Sequence, residues 1–447
     1  MRTRILLCSV AALAVAGCKS DILDVSNPNA PTQGEVLNTR AGVVALAVGL
    51  QARYADQLRD FISTSGLVSD EFGAPTGALQ SYKDTERDTL VNTYDPVELP
   101  WQKHYRTIKT ANDLIANAPK VGLGDSTQSG VMAMAYLLKA ASIGELTMQY
   151  QQVILDPAKT PATFVDRNAA LQAVLALLDS ARTQYLAVKP GSEFNGSIIA
   201  PGFSLINTIY AFQARYARMA GNYQAALAAA NLVDTSVVST LPFSPPSSVN
   251  PIYDLSANAG YIRARDTLRA TAEAGDARVP FHIVTTGAPT AGAIRPLRAF
   301  AYLSSNLGAA PLPLYWPGEV ELIRAEALVA TGSLPQAAAS VNAVRTKCGG
   351  ASVQPKACLP ALPASSLTTS AQIVAEIYQQ RKFELFATGL RWEDARRIGQ
   401  VYVGSPIAKR CWLLYPNSER STDPSTPPDP AGDPPTTPST CGVTPAP

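Results

Sequence analysis

One stretch of sequence occurs twice and constrains the fold more than any other feature. Residues 211–234, AFQARYARMAGNYQAALAAANLVD, align without a gap with residues 322–345, LIRAEALVATGSLPQAAASVNAVR. A central glycine tolerates a tight turn, and small alanines on either side of it allow two antiparallel helices to approach closely. The sequence therefore predicts a chain built from helical hairpins. The aligned pairs are Ala214 with Ala325, Gly221 with Gly332, Tyr223 with Leu334, Ala226 with Ala337, and Asn231 with Asn342.

This spacing resembles the tetratricopeptide helix pair. Two copies do not establish a regular solenoid, and two unrelated alanine-rich hairpins are the alternative. Apolar residues at helical spacing predict further helices, so the expected fold class is mostly α, with tetratricopeptide-like helical hairpins. The predicted helices are 36–60, 100–118, 129–150, 166–187, a pair within 203–235, 317–330, 335–346 and 370–387. Two further hairpins could be degenerate copies of the repeat, namely 36–60 with 100–118 and 129–150 with 166–187.

Two segments do not follow the helical pattern. Residues 236–315 are long, proline-broken and irregular, and such insertions in a helical chain are more often functional or disordered than idle. We therefore expect long loop insertions to form the ligand face. The proline-rich tail, residues 421–447, cannot bury apolar surface and is expected to be disordered unless Cys441 holds it down. Residues 36–420 are then expected to form a single helical domain.

The N-terminal segment has the features of an export signal. Arg2 and Arg4 precede an apolar run at residues 5–17, which is shorter than the roughly 20 residues that a membrane-spanning helix needs. The sequence VAGC, which ends at Cys18, resembles a bacterial lipobox. Residues 1–17 are thus expected to be a lipoprotein signal peptide, and residues 18–35 a tether lipidated at Cys18. The alternatives are an ordinary signal peptide with an incidental cysteine, or an uncleaved anchor.

The charge balance argues against a nucleic-acid partner. Two of the 37 basic residues lie in the signal segment, which leaves 35 against 35 acidic residues. A chain without excess positive charge lacks the basic footprint that nucleic-acid binding requires.

Lys19, directly after the lipobox cysteine, resembles the pattern of lipoproteins sent to the outer membrane.

Four cysteines follow the N-terminal segment, and an even number in an exported chain favours disulfides. Three pairings are open, and a zinc site is a further alternative that no CxxC spacing or nearby histidine supports. We favour the pairing in which each bridge closes a loop rich in Gly, Pro or Ser. That pairing joins Cys348 to Cys358 and Cys411 to Cys441.

Five segments, in this order, resemble the SusD/RagB-like nutrient-binding lipoproteins. They are SDILDVSNPN after Cys18, the pattern Trp101–Tyr105–Ile108–Ala111–Asn112, the pair of helical repeats counted as one segment, QRKFELFATGLRWEDARRIG at 380–399, and LLYPNSERSTDP with Pro416 and Glu419. The fourth segment resembles the family pattern ERxxELxxEGxRxxDxxR. It matches at Arg381, Glu384, Leu385, Gly389, Arg391, Trp392, Asp394 and Arg397, but Gln380 and Thr388 replace glutamates of that pattern.

The residues of 380–399 predict a structural role. Arg381 and Glu384 are three positions apart and could pair across one helical turn. Gly389 could end that helix in a left-handed cap, and Arg391 with Asp394 could brace the next one.

Motifs for catalysis are absent from the sequence. It has two histidines, His104 and His282, and no GxSxG, HExxH, Walker or dinucleotide-binding pattern. Asp70 and Glu71 could be offered as glycosidase carboxylates, but sequence neighbours rarely face each other across a sugar. We therefore expect a binding protein rather than an enzyme, with no metal or cofactor.

The resemblance implies an outer-membrane lipoprotein that faces the cell exterior and binds an oligosaccharide, or less often a peptide. It also implies a partner, a SusC-type TonB-dependent transporter over which the protein acts as a lid. Sugar would stack on aromatic rings of the loops, although each ring is individually more often a packing residue. Trp101 and Trp392 match positions that recur across the family whatever the ligand, so we interpret them as scaffold residues. The candidate ligand rings are Phe72, Tyr82, Tyr94, Tyr253, Tyr261 and Trp316.

Two other functions remain open at this point. One is a tetratricopeptide-type envelope adaptor that binds a protein partner without any transporter. The other is a surface glycosidase, which would depend on Asp70 and Glu71.

Overall fold

The computed structural model describes residues 33–159, 161–285, 287–288, 293–295, 307–349 and 354–447. The predicted signal peptide 1–17, the lipidation site Cys18 and most of the tether 18–35 lie outside the described residues. The last residues of the predicted tether already belong to the first helix.

The fold is mostly α, as predicted, and has sixteen helices in the described residues. The first eight are α1 (Gln33–Leu37), α2 (Arg40–Val68), α3 (Gln80–Arg87), α4 (Asp95–Asn117), α5 (Asp125–Gln149), α6 (Arg167–Ala187), α7 (Leu205–Met219) and α8 (Tyr223–Ala230). The others are α9 (Pro251–Tyr253), α10 (Thr267–Ala270), α11 (Arg278–His282), α12 (Pro317–Ala330), α13 (Leu334–Thr346), α14 (Ser370–Glu384), α15 (Arg391–Arg397) and α16 (Asn417–Thr422).

The long helices pack as hairpins. The pairs are α2 with α4, α5 with α6, α7 with α8, and α12 with α13, and α8 packs on α12 so that the two sequence repeats are stacked. Ala214 and Ala226 of the first repeat are fully buried, as are Ala325 and Ala337 of the second. Gly221 and Gly332 take positive φ angles of 75° and 80° in the turns. Small side chains at the contact and glycine at the turn therefore act as the repeat predicted.

Short antiparallel strands organise the irregular regions. β1 (Phe72–Gly73), β5 (Arg263–Arg265) and β6 (Ile294–Arg295) form one sheet in the order β1-β5-β6. β2 (Gln152–Ile154) pairs with β3 (Phe164–Asp166), and β4 (Ser239–Leu241) pairs with β7 (Leu312–Tyr315). Because β4 and β7 stand at the two ends of the 236–315 insertion, their pairing closes the insertion on itself.

The helices share one extended core, and a smaller apolar cluster lies between α12, α13 and α14. Among the described helices, α5 alone is long and apolar enough to cross a membrane. Most of its side chains are buried inside the protein, which is the behaviour of a core helix.

The predicted contacts within 380–399 need correction. The Arg381 guanidinium binds Asp394, with Nε 2.7 Å from Oδ2, instead of pairing with Glu384. Glu384 instead lies 3.5 Å from the guanidinium of Arg278. Asp394 is held by arginines of other helices rather than by Arg391, because α15 contacts α14 and Asp394 is buried in the protein interior. Gly389 has a positive φ of 81° but precedes α15, since α14 has already ended at Glu384.

The tail 421–447 is attached through Cys441, which is the stated exception to its expected disorder. The structure contains the disulfides Cys348–Cys358 and Cys411–Cys441, which is the pairing favoured from the sequence. The second disulfide attaches the tail, and the Asp433 carboxylate accepts the backbone N–H groups of Cys411 and Trp412 at 2.7 and 2.9 Å. These covalent and polar contacts take the place of the apolar burial that the composition of the tail lacks.

Candidate functional site

Three of the six predicted ligand rings are buried. Phe72 packs edge-on against Phe386 with ring centroids 5.9 Å apart, and Trp316 is fully enclosed beside α12. Tyr82 is only 3% exposed. A ring must present a free face to stack on a pyranose, so these three act in packing, and their prediction as ligand contacts is corrected.

The other three candidates are half-buried and lie in two places. The Tyr261 ring packs on Tyr82, with centroids 5.1 Å apart, and the Tyr94 hydroxyl donates to Asp84 at 2.9 Å. Both therefore contact α3. Tyr253 ends α9, which packs against α2. The candidate rings thus do not form one stacking surface in the described residues.

A groove with an aromatic floor lies instead between α4, the segment 154–162 and α16. We call it the α4 groove, and it encloses about 670 Å³. One face of α4 lines it, because the residues concerned recur three and four positions apart. They are Gln102, Tyr105, Arg106, Lys109, Asn112 and Asp113.

The floor of the α4 groove is fixed by a cluster of aromatic rings. Trp101 is 2% exposed, and its ring lies 4.7 Å from Tyr105 and 4.8 Å from Tyr150, measured between centroids. Its indole N–H donates to Glu419 Oε2 at 3.0 Å, which ties α16 to α4. The Tyr105 hydroxyl accepts from the backbone N–H of Ile154 at 2.7 Å. Trp101 is therefore scaffold, as predicted from the sequence, while the partly buried Tyr105 lines the groove.

Every carboxylate that lines the α4 groove already has a partner. Asp113 accepts from the Lys109 ammonium at 2.9 Å, and Glu419 accepts from Trp101. Asp423 accepts the backbone N–H of Ala162 at 2.7 Å. The hydrogen bonds of Asp423, chiefly those from Ser425, lower its pKa, whereas burial raises the pKa of the half-buried Glu419.

Two polar side chains of the α4 groove are free to meet a ligand. Neither the Arg106 guanidinium nor the Asn112 amide makes a hydrogen bond or ion pair with any residue that the structure describes. They lie six positions apart on the groove-lining face of α4. The groove therefore offers unsatisfied donors beside an aromatic ring, which is how sugar sites combine stacking with orientation.

Sequence reasoning found the helix that carries the α4 groove but missed the groove itself. Two of its walls, 154–162 and 417–423, are distant from α4 in sequence and reach it only in the folded chain. The available signal was the polar stripe of α4, which interrupts an otherwise apolar helix pattern at regular helical spacing.

The titratable side chains considered for catalysis are not arranged as an active site. They are Asp70, Glu71, His104 and His282. Asp70 lies 3.3 Å from the Arg265 guanidinium, while Glu71 is buried, and burial raises its pKa to about 8. His104 is enclosed between the Pro100 carbonyl and Glu145. His282 bonds the Phe383 carbonyl at 2.8 Å, and burial lowers its pKa to about 3. In the described ranges, no group of His, Cys, Asp and Glu side chains could hold a metal ion.

Comparison with known proteins identifies the fold. The model of the SusD family matches residues 286–428, whereas no curated protein matches the sequence. A SusD superfamily protein from Bacteroides thetaiotaomicron superposes with a TM-score of 0.68 at 13% identity, covering 88% of this chain and 100% of its own. A SusD-like carbohydrate binding protein from Bacteroides vulgatus gives a TM-score of 0.60 at 13% identity, covering 78% and 82%.

A laminarin-binding SusD-like protein is also similar. Its TM-score is 0.58 at 16% identity, and the superposition covers 78% of this chain and 90% of the other. Identities this low carry information about the fold and not about the ligand. The mostly α architecture with stacked helical hairpins is common to all of these structures.

Proposed function

Because this chain is a SusD/RagB-like protein, we propose that it binds an oligosaccharide at the cell surface and delivers it to a transporter of the outer membrane. A peptide ligand is the less favoured form of the same proposal. The protein itself breaks no bond and uses no cofactor.

The α4 groove is the proposed ligand site. A pyranose has an apolar face that can lie against the partly buried Tyr105 ring that lines the groove, while Arg106 and Asn112 donate to its oxygens. The observation that carries this proposal is that two polar side chains, which have no partner among the described residues, lie beside a fixed aromatic floor. Two of the similar structures carry descriptions as carbohydrate or laminarin binders, which supports a sugar as the cargo.

The proposed partner is a SusC-type TonB-dependent transporter, over which the protein acts as a lid. The proposed membrane attachment is a lipid at Cys18, outside the described residues. A single acyl chain holds a protein only weakly, so contact with the transporter would supply a second attachment. The rigid stack of helical hairpins suits a lid that moves as one body on a short tether.

The anchor has a direct test. Cys18→Ala should move the protein from the detergent phase to the aqueous phase when cells are fractionated with a phase-separating detergent. Unchanged partitioning of that variant would contradict lipidation at Cys18. Co-purification with a large outer-membrane barrel would support the lid, whereas a stable complex without any barrel would favour an envelope adaptor.

A surface glycosidase is disfavoured by the positions of Asp70 and Glu71. Asp70 is engaged by Arg265, and Glu71 is buried with a pKa raised by burial to about 8, so the two do not face each other across an open cleft. A glycosidase needs two carboxyl groups on opposite sides of the sugar bond.

Calorimetric titration of the protein with a panel of oligosaccharides tests the ligand proposal. We expect one class to bind, and we expect Asn112→Ala to weaken that binding by about tenfold, because a desolvated hydrogen bond is lost. The matched control is Asn168→Ala, at an exposed position on α6 outside the groove. Absence of binding to every glycan in the panel, or equal affinity of both variants and the native protein, would overturn the assignment.

A further inference from the structure

Segment 380–399 carries more positive than negative charge. It contains five basic and three acidic side chains. The family pattern that it resembles has glutamates at the positions of Gln380 and Thr388, and two more carboxylates would balance the segment. The neutral side chains at these two positions therefore leave an excess of two cations.

The ion pairs of the segment identify these two cations. Three of the five basic side chains pair with buried carboxylates, namely Arg381, Arg396 and Arg397. Neither Lys382 nor Arg391 forms an ion pair with any residue that the structure describes. The Lys382 ammonium donates to the Thr271 hydroxyl, whereas the Arg391 guanidinium makes no hydrogen bond within the described ranges. Arg391 is therefore the cation of this segment that remains available to a ligand.

Two carboxyls act electrostatically on Arg391, but neither is free to pair with it. Asp394 is held by two other arginines. Glu71 keeps its proton at neutral pH, because burial raises the pKa of its carboxyl to about 8. Arg391 is partly buried, and a guanidinium removed from water is costly unless an acceptor binds it. A carboxylate supplied from outside the chain would therefore be stabilised beside Arg391.

Arg391 lines a groove of about 700 Å³ beside the exposed face of α14, which we call the α14 groove. Among the described residues, no acidic side chain lines this groove, and none of its lining residues belongs to the α4 groove. The carboxylate of the exposed Pro447 borders it, forms no ion pair with a described side chain and is solvated by water. Most of the other lining side chains are small or apolar, among them Val374, Ala375, Ile398 and Ile407.

The end of the tail already lies along one side of the α14 groove as an extended peptide. The Arg397 guanidinium donates to the Thr444 carbonyl at 2.8 Å. The backbone N–H of Ala446 donates to the Arg397 carbonyl at 2.9 Å. The Tyr223 hydroxyl donates to the Pro445 carbonyl at 3.2 Å. Because these hydrogen bonds reach backbone atoms of the tail, they suit an extended polypeptide and depend little on its side chains.

We propose that the α14 groove docks an extended peptide segment of a partner protein, and that Arg391 binds a carboxylate side chain of that segment. A guanidinium can bind a carboxylate through two parallel hydrogen bonds. Neighbouring apolar side chains of the segment would pack on Val374, Ile398 and Ile407. This protein-docking site is separate from the proposed glycan site and goes beyond glycan binding.

The test uses two pools of fluorescently labelled hexapeptides, measured by anisotropy against the full chain. Each peptide of the first pool has a single aspartate among alanine, valine and proline, and the second pool has asparagine in its place. We expect the aspartate pool to bind about tenfold more tightly, because a charge-assisted hydrogen bond is stronger than one to a neutral amide. Its affinity should fall as salt rises. Equal binding of the two pools, or binding of neither, would overturn the inference.

Variants separate the carboxylate preference from folding. Arg391→Gln should bind both pools with the same weak affinity. Gln379→Glu, at an exposed position on the groove wall, keeps Arg391 but adds a competing carboxylate, so it should also lose the preference. Gln224→Glu, at an exposed position on α8 outside the groove, is the matched control and should behave as the native protein. If Arg391→Gln or Gln379→Glu keeps the native preference, the inference fails.

Titration of the same variants with glycans separates this inference from the proposed function. All three variants should bind glycans as the native protein does, because none of the substituted residues lines the α4 groove. Loss of glycan binding in Arg391→Gln and Gln379→Glu alone would mean that the α14 groove takes glycans, and the peptide assignment would fail.

Discussion

Arg218 of α7 and Glu326 of α12 form a fully buried ion pair, with Nε 2.6 Å from Oε2, and so join the two sequence repeats. Arg218 also lies 3.0 Å from Asp394 of α15. Arg381 binds the other oxygen of Asp394, and Arg397 pairs with Glu326. The family pattern in 380–399 thus encodes a buried charge network that holds the two repeats to α15. It is part of the scaffold and not of a ligand site.

Removing one member of this network should destabilise the protein severely. Arg218→Met leaves Glu326 and Asp394 each short of a counter-ion in the interior, and we expect a loss of about 3–5 kcal/mol in the free energy of unfolding. Arg182→Met on α6 is the control, because its pair with Asp179 is exposed and should contribute less than about 1 kcal/mol. Urea denaturation of both variants gives the comparison. Equal midpoints would contradict a structural role for the network.

The sequence predicted the scaffold well because the relevant signals are local. Helical spacing of apolar residues, together with glycine at the turns, places the hairpins, and α12 was predicted at the bounds that the structure gives. The partner of Arg381 could not be predicted in this way. Asp394 and Glu384 both follow Arg381 within 13 residues, and only the packing of α15 on α14 decides which of them Arg381 binds.

The candidate site is harder to predict from the sequence than the scaffold, because it depends on contacts that are not local. The sequence offers six aromatic rings as ligand candidates without distinguishing packed from free ones, and Phe72 and Trp316 pack into the core once the short strands form. The α4 groove depends on contacts between segments that lie far apart in sequence, such as Trp101 with Glu419. Long-range contacts of this kind leave no periodic signal in the sequence.

The disulfide Cys411–Cys441 should hold the tail on the body of the protein. Replacing both cysteines with serine removes a cross-link over a sequence separation of 30 residues, and loop-closure entropy gives a loss of about 3–4 kcal/mol. The backbone N–H groups of Cys411 and Trp412 should then exchange with deuterium faster, because Asp433 no longer stays beside them. The double serine variant at Cys348 and Cys358 should leave that exchange unchanged. Equal protection of these N–H groups in the two double variants would show that the tail stays in place without its disulfide.

Alanine substitutions at three glycines distinguish the cost of backbone strain from the cost of steric overlap. Gly389 has φ of 81°, and an added Cβ would lie 2.6 Å from the ring of the buried Phe61. Gly332 has φ of 80° but open space around it, and Gly77 has open space and no positive φ. Alanine should therefore cost about 1–2 kcal/mol at position 332 through strain alone, clearly more at 389, and little at 77. Thermal melts rank the stabilities of the three alanine variants. Equal losses of stability at positions 389 and 332 would mean that the Phe61 ring moves aside for the added Cβ.

The stability of the folded chain should fall with rising pH in a way that depends on Glu71. Burial is the main cause that raises the pKa of this carboxyl to about 8, with the nearby charge of Arg391 offsetting part of the effect. In the unfolded chain the pKa of this carboxyl lies near its ordinary value of 4.5. Between these two values the folded protein keeps a proton that the unfolded chain has lost, so the free energy of unfolding decreases as pH rises through this window.

Glu71→Gln tests this linkage because the amide resembles the protonated carboxyl in shape and charge. At pH 9 the variant should be more stable than the native protein, by on the order of 3 kcal/mol, since the native protein must then bury a charge. At pH 4, where the native carboxyl is protonated in both states, the two proteins should unfold at nearly the same urea concentration. Denaturation curves across this range measure the difference. If both proteins lose stability in parallel from pH 4 to pH 9, Glu71 is ionised in the folded state, and Arg391 compensates for its burial more fully than the geometry indicates.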